Sequence, residues 1–254
     1  MLKRWIIPTF LAIAAVIVLA RLGFWQLERL DERRAFNARV LAQVNAVPLD
    51  LNQGIPPDVA EMEYRTVTLR GVYDFANQVA LRNQDYHLNL GAHLLTPLRL
   101  ADSDQVILVD RGWIPQADFL AADWAKFDQP GEITLQGVIR LAQAAPDFGQ
   151  AADPTPAPGD PPLTAWRLAN IPAIAGQLPY PSLSSVYIQQ KPAVAGVQPV
   201  KNITAPLAEA ALPDLSEGNH QSYALQWFSF AAVLAIGYPF YVWRTAQKAP
   251  GQVK

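Results

Sequence analysis

The side chains able to do chemistry in this 254-residue chain are few: three histidines, His87, His93 and His220, and no cysteine. Without thiols there is no disulfide, no CxxC redox pair, no thiolate nucleophile and no cysteine-ligated zinc, copper or iron–sulfur centre. Met1 and Met62 are the only thioethers, which excludes a methionine-rich copper(I) site. A Ser/His/Asp hydrolase would need a serine poised beside one of the three imidazoles. The chain has no GxSxG elbow, HExxH helix, glycine-rich phosphate loop or Walker lysine. The carboxylates are scattered, and no acid–base pair can be picked out by spacing. A non-enzymatic protein is therefore expected.

The histidines differ in setting. His93, in LGAHLLTPL, sits among alternating neighbours; it is either a ligand or base facing a cleft, or a partly buried strand histidine with a backbone partner. His87, in QDYHL, reads as a turn residue. Arg111, in LVDRGWIP, follows an apolar strand where a charge needs a partner, with Asp110 on the opposite face; a structural and a functional role are both open. Gly112 is expected to supply a backbone conformation that other residues cannot reach, with Trp113 packing below it. His220 precedes a long apolar run by three residues. On a helix His220, Tyr223, Ala224, Trp227 and Ala231 share one face, on which a flat macrocycle could lie with the imidazole as axial iron ligand. Arg21, Trp25 and Arg29 share a face at the outer end of the first apolar run, so both faces would meet at one depth and offer guanidinium groups to propionates. An ordinary interfacial histidine within an aromatic belt accounts for the same spacing.

The elements that must position these residues follow from hydropathy. WIIPTFLAIAAVIVLA, from Trp5 to Ala20, is uncharged, and LGFW resumes after Arg21, so residues 5–25 predict a first transmembrane helix with Arg21 snorkelling. Lys3, Arg4 and the small residues near Ala20 also fit a cleaved signal peptide, but a retained anchor is expected. Residues 221–243 predict the second helix, bounded by Tyr223 and Trp227 at one end and Tyr238, Tyr241 and Trp243 at the other. Arg244, Lys248 and Lys254 follow it while only Lys201 precedes it nearby, which predicts cytoplasmic termini and an extracytoplasmic domain over 26–220. The absence of an Arg/Ser-rich presequence favours a bacterial inner membrane.

Between the spans, Leu27, Leu30, Phe36, Val40, Leu41 and Val44 predict that the first helix continues, amphipathic, to about Asn45. Beyond Glu61 alternation predicts strands around Val67–Tyr73 and Val79–Leu81, the short β-branched run Val106–Val109 predicts another, and Leu90–Leu100, Ile133–Leu141 and Ser185–Gln189 are further candidates. Short helices are expected near Asp118–Trp124 and Ile171–Gly176, and a Pro-rich surface loop or flexible insertion over 145–163. The fold class expected is a membrane protein of α+β type, two terminal transmembrane helices flanking a mainly antiparallel β outer domain with a few short helices. A net charge of -2 without a basic block argues for the membrane, and against nucleic acid, as partner.

Four blocks, RLGFWQLERLDER (21–33), GAHLLTPLRL (91–100), VILVDRGWIP (106–115) and NHQSYALQWFSFA (219–231), occur in this order. Together they resemble the surfeit locus family of cytochrome oxidase assembly proteins, over nearly the whole chain. The resemblance implies an assembly factor for a haem-copper terminal oxidase (cytochrome c oxidase biogenesis in the respiratory chain). Its implied partners are the oxidase catalytic subunit and the haem a synthesis machinery. It implies transient haem a binding through a histidine at the start of the second span, which here is His220; Tyr223, Trp227, Arg21 and Arg29 are then the candidate neighbours. Gly23 and Trp25 match as structural or interface positions, and Gly91, His93, Arg111, Gly112 and Trp113 match without an implied chemical role. Residues 145–163 do not match clearly, and Asn170 stands where family members often have aspartate. A scaffold that steadies the oxidase subunit without touching haem is the alternative. A third class, a membrane-anchored enzyme using His93 and a carboxylate, would turn over substrate with the outer domain alone.

Overall fold

The computed structural model describes residues 3–146, 152–154, 160–180, 183–193, 203–208 and 212–247. They fall into two compact units, one within Met1–Arg39 and Asp214–Lys254, the other Val40–Pro213.

The first unit is helical. Helix α1 runs without interruption over Lys3–Val44, and the C-terminal helix (α4) covers His220–Gln247. Both are long and apolar enough to cross a membrane. Their apolar side chains face outward, with Ile7 and Phe10 each 71% exposed, Val233 71% and Ile236 74%. A water-soluble helix pair would bury such a surface, whereas lipid covers it without cost. Pro8 and Pro239 stand inside the helices, as membrane helices tolerate. The two helices meet along a narrow seam. Gly23, Leu30 and Asn37 are buried at seven-residue spacing on α1, and Ala224 and Ala231 repeat that spacing on α4. A Cβ on Gly23 would lie 2.6 Å from the Phe228 ring, so glycine is what lets that ring rest on the α1 backbone. Phe24 meets Phe228 edge-on at 5.2 Å, and Thr9 hydrogen-bonds Tyr238 at 2.8 Å. The amphipathic continuation to Val44 forms as expected, but its buried stripe is Leu30, Asn37 and Val40, while Leu27 and Leu41 are exposed.

The second unit is built on eight strands: β1 Leu49–Asp50, β2 Thr66–Tyr73, β3 Val79–Tyr86, β4 Asn89–Leu100, β5 Val106–Pro115, β6 Glu132–Leu141, β7 Ala165–Trp166 and β8 Leu183–Gln190. The order is β1-β2-β6-β8-β5-β4-β3-β7, and an additional β2–β4 pairing closes five of them into a barrel. Strand β4 makes closure possible. Its first half pairs with β3, from Leu95↔Val79 to Asn89↔Tyr86, and its end pairs with β2, from Leu98↔Tyr73 to Leu100↔Gly71. Pro97 lies between, where a residue without an amide proton fits a change of partner. Pairing is antiparallel except at β1–β2, β3–β7 and β5–β8. Two short helices join it, α2 Gln116–Leu120 and α3 Ile171–Ala175.

Strand alternation is kept where one face is buried: Val67, Leu69 and Tyr73 of β2 pack with Leu98, Ile107, Val109, Leu135, Ile139, Val186 and Ile188 in the barrel core. Strand β5 is buried on both faces from Val106 to Ile114, which explains its unbroken apolar run. Asn170 caps α3 by accepting from the Ala173 amide at 3.3 Å, work that asparagine and aspartate do equally well. The expected loop over 145–163 lies partly outside the described residues; within it the Asp153 carboxylate, only 3% exposed, accepts from the amides of Arg167 and Leu168 at 2.8 and 2.9 Å. At that point the segment is anchored rather than loose. The two-residue strands β1 and β7 have no sequence signal and arise from tertiary pairing.

Gly112 combines a φ of +119° with a close backbone approach, since a Cβ there would meet the Leu207 backbone at 2.4 Å. Gly131 shares the positive φ, +99°, but has nothing within 4 Å. Gly131→Ala should cost about 1–2 kcal/mol from backbone strain alone. Gly112→Ala should cost clearly more and disrupt the mutual Trp113–Leu207 backbone bonds at 2.9 and 2.8 Å, which denaturant titration of both variants checks.

Candidate functional site

Where α4 begins, the chain is gripped by the polar half of α1. Arg33 donates to the carbonyls of Ser216, at 3.0 Å, and of Asp214; Asn37 donates to the Leu215 carbonyl at 2.6 Å; Arg34 donates twice to the Glu217 carboxylate, at 2.9 Å each. Asp214 in turn accepts from the amide and hydroxyl of Ser216 at 2.8 and 2.7 Å. The chain then turns at Gly218, φ +67°, and enters the first turn of α4, where the Asn219 carbonyl accepts from the Tyr223 amide at 3.0 Å. His220 is the first helical residue. Its Nδ1 lies 2.8 Å from the Gln26 side-chain oxygen of α1.

Of the face expected around His220, the structure gives a divided picture. Ala224 and Ala231 are buried, 1% and 7% exposed, as part of the helix seam rather than as an open floor. Tyr223 is 49% exposed and Trp227 half-buried, its ring edge-on to Phe230 at 6.1 Å. On α1, each residue turns the helix by about 100°, so Arg29 is offset from Gln26 by about 60° and Arg21 by about 140°. Arg21 pairs with Glu28 at 3.0 Å and Arg29 with Glu32 at 2.6 Å, both exposed, and Trp25 is 46% exposed. The expected meeting of the Arg21/Trp25/Arg29 face with the His220 face is therefore not formed. The side of α1 that meets α4 is the one carrying Gly23, Gln26, Leu30, Arg33 and Asn37. The polar members of that set escape a search for apolar periodicity; the seven-residue spacings 23-30-37 and 26-33 were the available signal.

In the barrel unit, His93 and Asp110 form a buried couple. His93 Nδ1 lies 2.9 and 3.1 Å from the two carboxylate oxygens, and Asp110 also accepts from the Gly112 amide at 3.0 Å. A carboxylate is thus a partner of His93. The pair spans the register shift between His93 and Leu95, fastening β4 to β5 where the ladder is interrupted. Arg111, 2% exposed, turns the other way: it donates to the Phe127 carbonyl and lies 5.0 Å from the ring centres of both Tyr73 and Phe75. Its Nε and Nη1 have no hydrogen-bond partner among the described residues, and burial lowers its pKa from the usual guanidinium value. Burial likewise raises the Tyr73 hydroxyl, and that of Tyr187 is pushed up to about 12. His87 stands in the β3–β4 turn with φ +48°. Among the described residues no group of three or more His, Asp or Glu side chains could hold a bare metal ion.

A statistical description of the SURF1 family matches residues 13–232, which takes in most of α1, the barrel and the start of α4. The chain belongs to the SURF1 family. A SURF1-like protein of Drosophila melanogaster is 26% identical over 83% of this chain and 69% of its own length. One from Rickettsia conorii is 27% identical over 91% of this chain and 90% of its own. Surfeit locus protein 1 of Xenopus tropicalis is 25% identical, and the match spans about half its length, 52%. The family match therefore covers the grip of α1 on α4 and the His93–Asp110 couple together.

The grip has a pH dependence with a definite sign. The hydrogen bonds from Arg34 hold the Glu217 carboxyl below its ordinary value, and the Ser216 amide does the same for Asp214. A carboxylate depressed in the folded state stabilises it above the unfolded pKa, and that stabilisation is lost as pH falls through the folded pKa. The Arg34 side-chain NMR resonance should therefore move as pH drops below the ordinary carboxylate range. Glu217→Gln should abolish that transition without unfolding α4, because an exposed ion pair adds little to stability.

Proposed function

We propose that this chain is a non-enzymatic, membrane-anchored assembly factor for a haem-copper terminal oxidase. It holds haem a transiently at His220 and passes it to the oxidase catalytic subunit. The family membership supports the oxidase part of this reading, through the resemblance of the four sequence blocks. The observation that carries the haem part is a partly exposed imidazole at the first residue of an apolar, membrane-length helix, with Tyr223 and Trp227 about one and two turns further along it. One histidine is too little for a bare ion but is the donor set of an axial haem ligand. Haem would supply an iron that an imidazole nitrogen can ligate; the chain would contribute that nitrogen from His220, the aromatic side chains of Tyr223 and Trp227, and the end of a membrane-length helix at which a hydrophobic cargo can be exchanged. Arg29, about 60° from Gln26 on α1, is the nearer guanidinium for a propionate, while Arg21 would have to leave Glu28 and reach around the helix. Exposed ion pairs of this kind exchange partners at little cost. The orientation proposed is termini in the cytoplasm and barrel outside a bacterial inner membrane, with the haem a synthesis machinery as the donor.

The burial of Ala224 and Ala231 in the helix seam favours a second reading, a scaffold that steadies the oxidase subunit without touching haem. The visible spectrum of detergent-purified protein, co-produced with the haem a pathway, separates the two. Haem a in the parent and its loss in His220→Ala is the expected result. A colourless parent, under conditions where the oxidase itself is loaded, would establish the scaffold instead.

A further inference from the structure

We propose that Gln26 is the positioning residue for His220. Its amide oxygen accepts the Nδ1 proton and fixes the imidazole tautomer whose Nε2 carries the free lone pair, which makes Nε2 the ligating atom. The iron half of this statement rests on the haem reading above; the tautomer half does not.

A neutral imidazole has one donor nitrogen and one acceptor nitrogen, and an amide oxygen can only accept. With Nδ1 at 2.8 Å from Gln26 Oε1, the proton sits on Nδ1 and Nε2 is left as base or ligand. Histidines that ligate metals are commonly held in this way by a second partner, which sets the ring plane and raises the basicity of the ligating nitrogen. Two features make the arrangement persistent. The grip of Arg33, Arg34 and Asn37 on Asp214–Glu217 limits how far the start of α4 can move from Gln26, which lies one heptad before Arg33. Gly218 borders the other nitrogen: a Cβ built there would sit 3.6 Å from His220 Nε2, so a larger side chain would cover the atom that has to stay approachable. Glycine at this turn serves both its positive φ and access to Nε2.

The test starts without haem. In the full-length protein in micelles, with histidine 15N-labelled, ring nitrogen shifts are read at a pH where the imidazole is neutral. The parent should show His220 protonated on Nδ1. Gln26→Leu should shift it toward the Nε2–H form that free imidazoles prefer, and Gln26→Glu, which keeps an acceptor oxygen, should restore Nδ1–H. Unchanged far-ultraviolet circular dichroism keeps the comparison clear of misfolding. An Nε2–H ring in the parent, or no change in Gln26→Leu, overturns the proposal. With haem a added, Gln26→Leu should bind 10–100-fold more weakly, about the usual effect of losing such a partner. The iron–histidine stretching frequency should rise in Gln26→Glu. Parent protein that shows the Nδ1–H ring yet takes up no haem removes the haem reading and leaves the tautomer assignment standing.

Discussion

The placement of His220 depends on one interaction set, the hold of four polar α1 side chains on the seven residues from Asp214 to His220. Each bond in it is modest: a neutral hydrogen bond such as that of Asn37 to the Leu215 carbonyl contributes about 0.5–1.5 kcal/mol net. Their combined effect is geometric. Three backbone carbonyls that precede α4, those of Asp214, Leu215 and Ser216, are satisfied by α1, so the entry to α4 is defined before the apolar seam below it begins. The seam then needs only small residues, Gly23, Ala224 and Ala231, to bring the backbones close, which is how helices associate where lipid offers no hydrophobic driving force.

The barrel unit solves a different problem. Its central strand β5 is buried throughout yet carries Asp110 and Arg111 side by side, and their opposite facing keeps each charge with its own partners. Asp110 is hydrogen-bonded to the His93 ring and to the Gly112 amide; Arg111 is held by one carbonyl and two aromatic rings. Truncating one member of such a set leaves the other buried without compensation, so substitutions in LVDRGWIP disturb the strand geometry before any chemistry. Neither group belongs to a cluster of three or more His, Asp or Glu side chains that could hold a metal ion among the described residues.

Much of this architecture was legible in the chain. Alternation marks strands such as β2 that have one face in a core, the unbroken apolar run marks β5, which is buried on both, and the uncharged runs mark both helices. Gly112 in DRGW announced its positive φ. Barrel closure could not be read, since it depends on β4 changing partner at Pro97 and on a parallel β5–β8 pairing distant in sequence. His220 stands where its position before the apolar run places it, at the first residue of α4, with Gln26 of α1 opposite its ring. Apolar spacing predicts Leu30 and Val40, which are buried, and also Leu27 and Leu41, which are exposed, whereas the polar part of the α1 contact surface is Gln26, Arg33 and Asn37, residues that periodicity discards. Polar contacts of this kind are specified by the partner segment 178–194 residues away and have no local signature.

The central claim is that His220 faces Gln26 and not the Arg21 side of α1. Because the chain has no cysteine, paired substitutions report this directly in native membranes. Gln26→Cys with His220→Cys should form a disulfide rapidly under mild oxidation, and Arg21→Cys with His220→Cys should not. Rapid cross-linking of the Arg21 pair, with the Gln26 pair remaining reduced, would contradict the account.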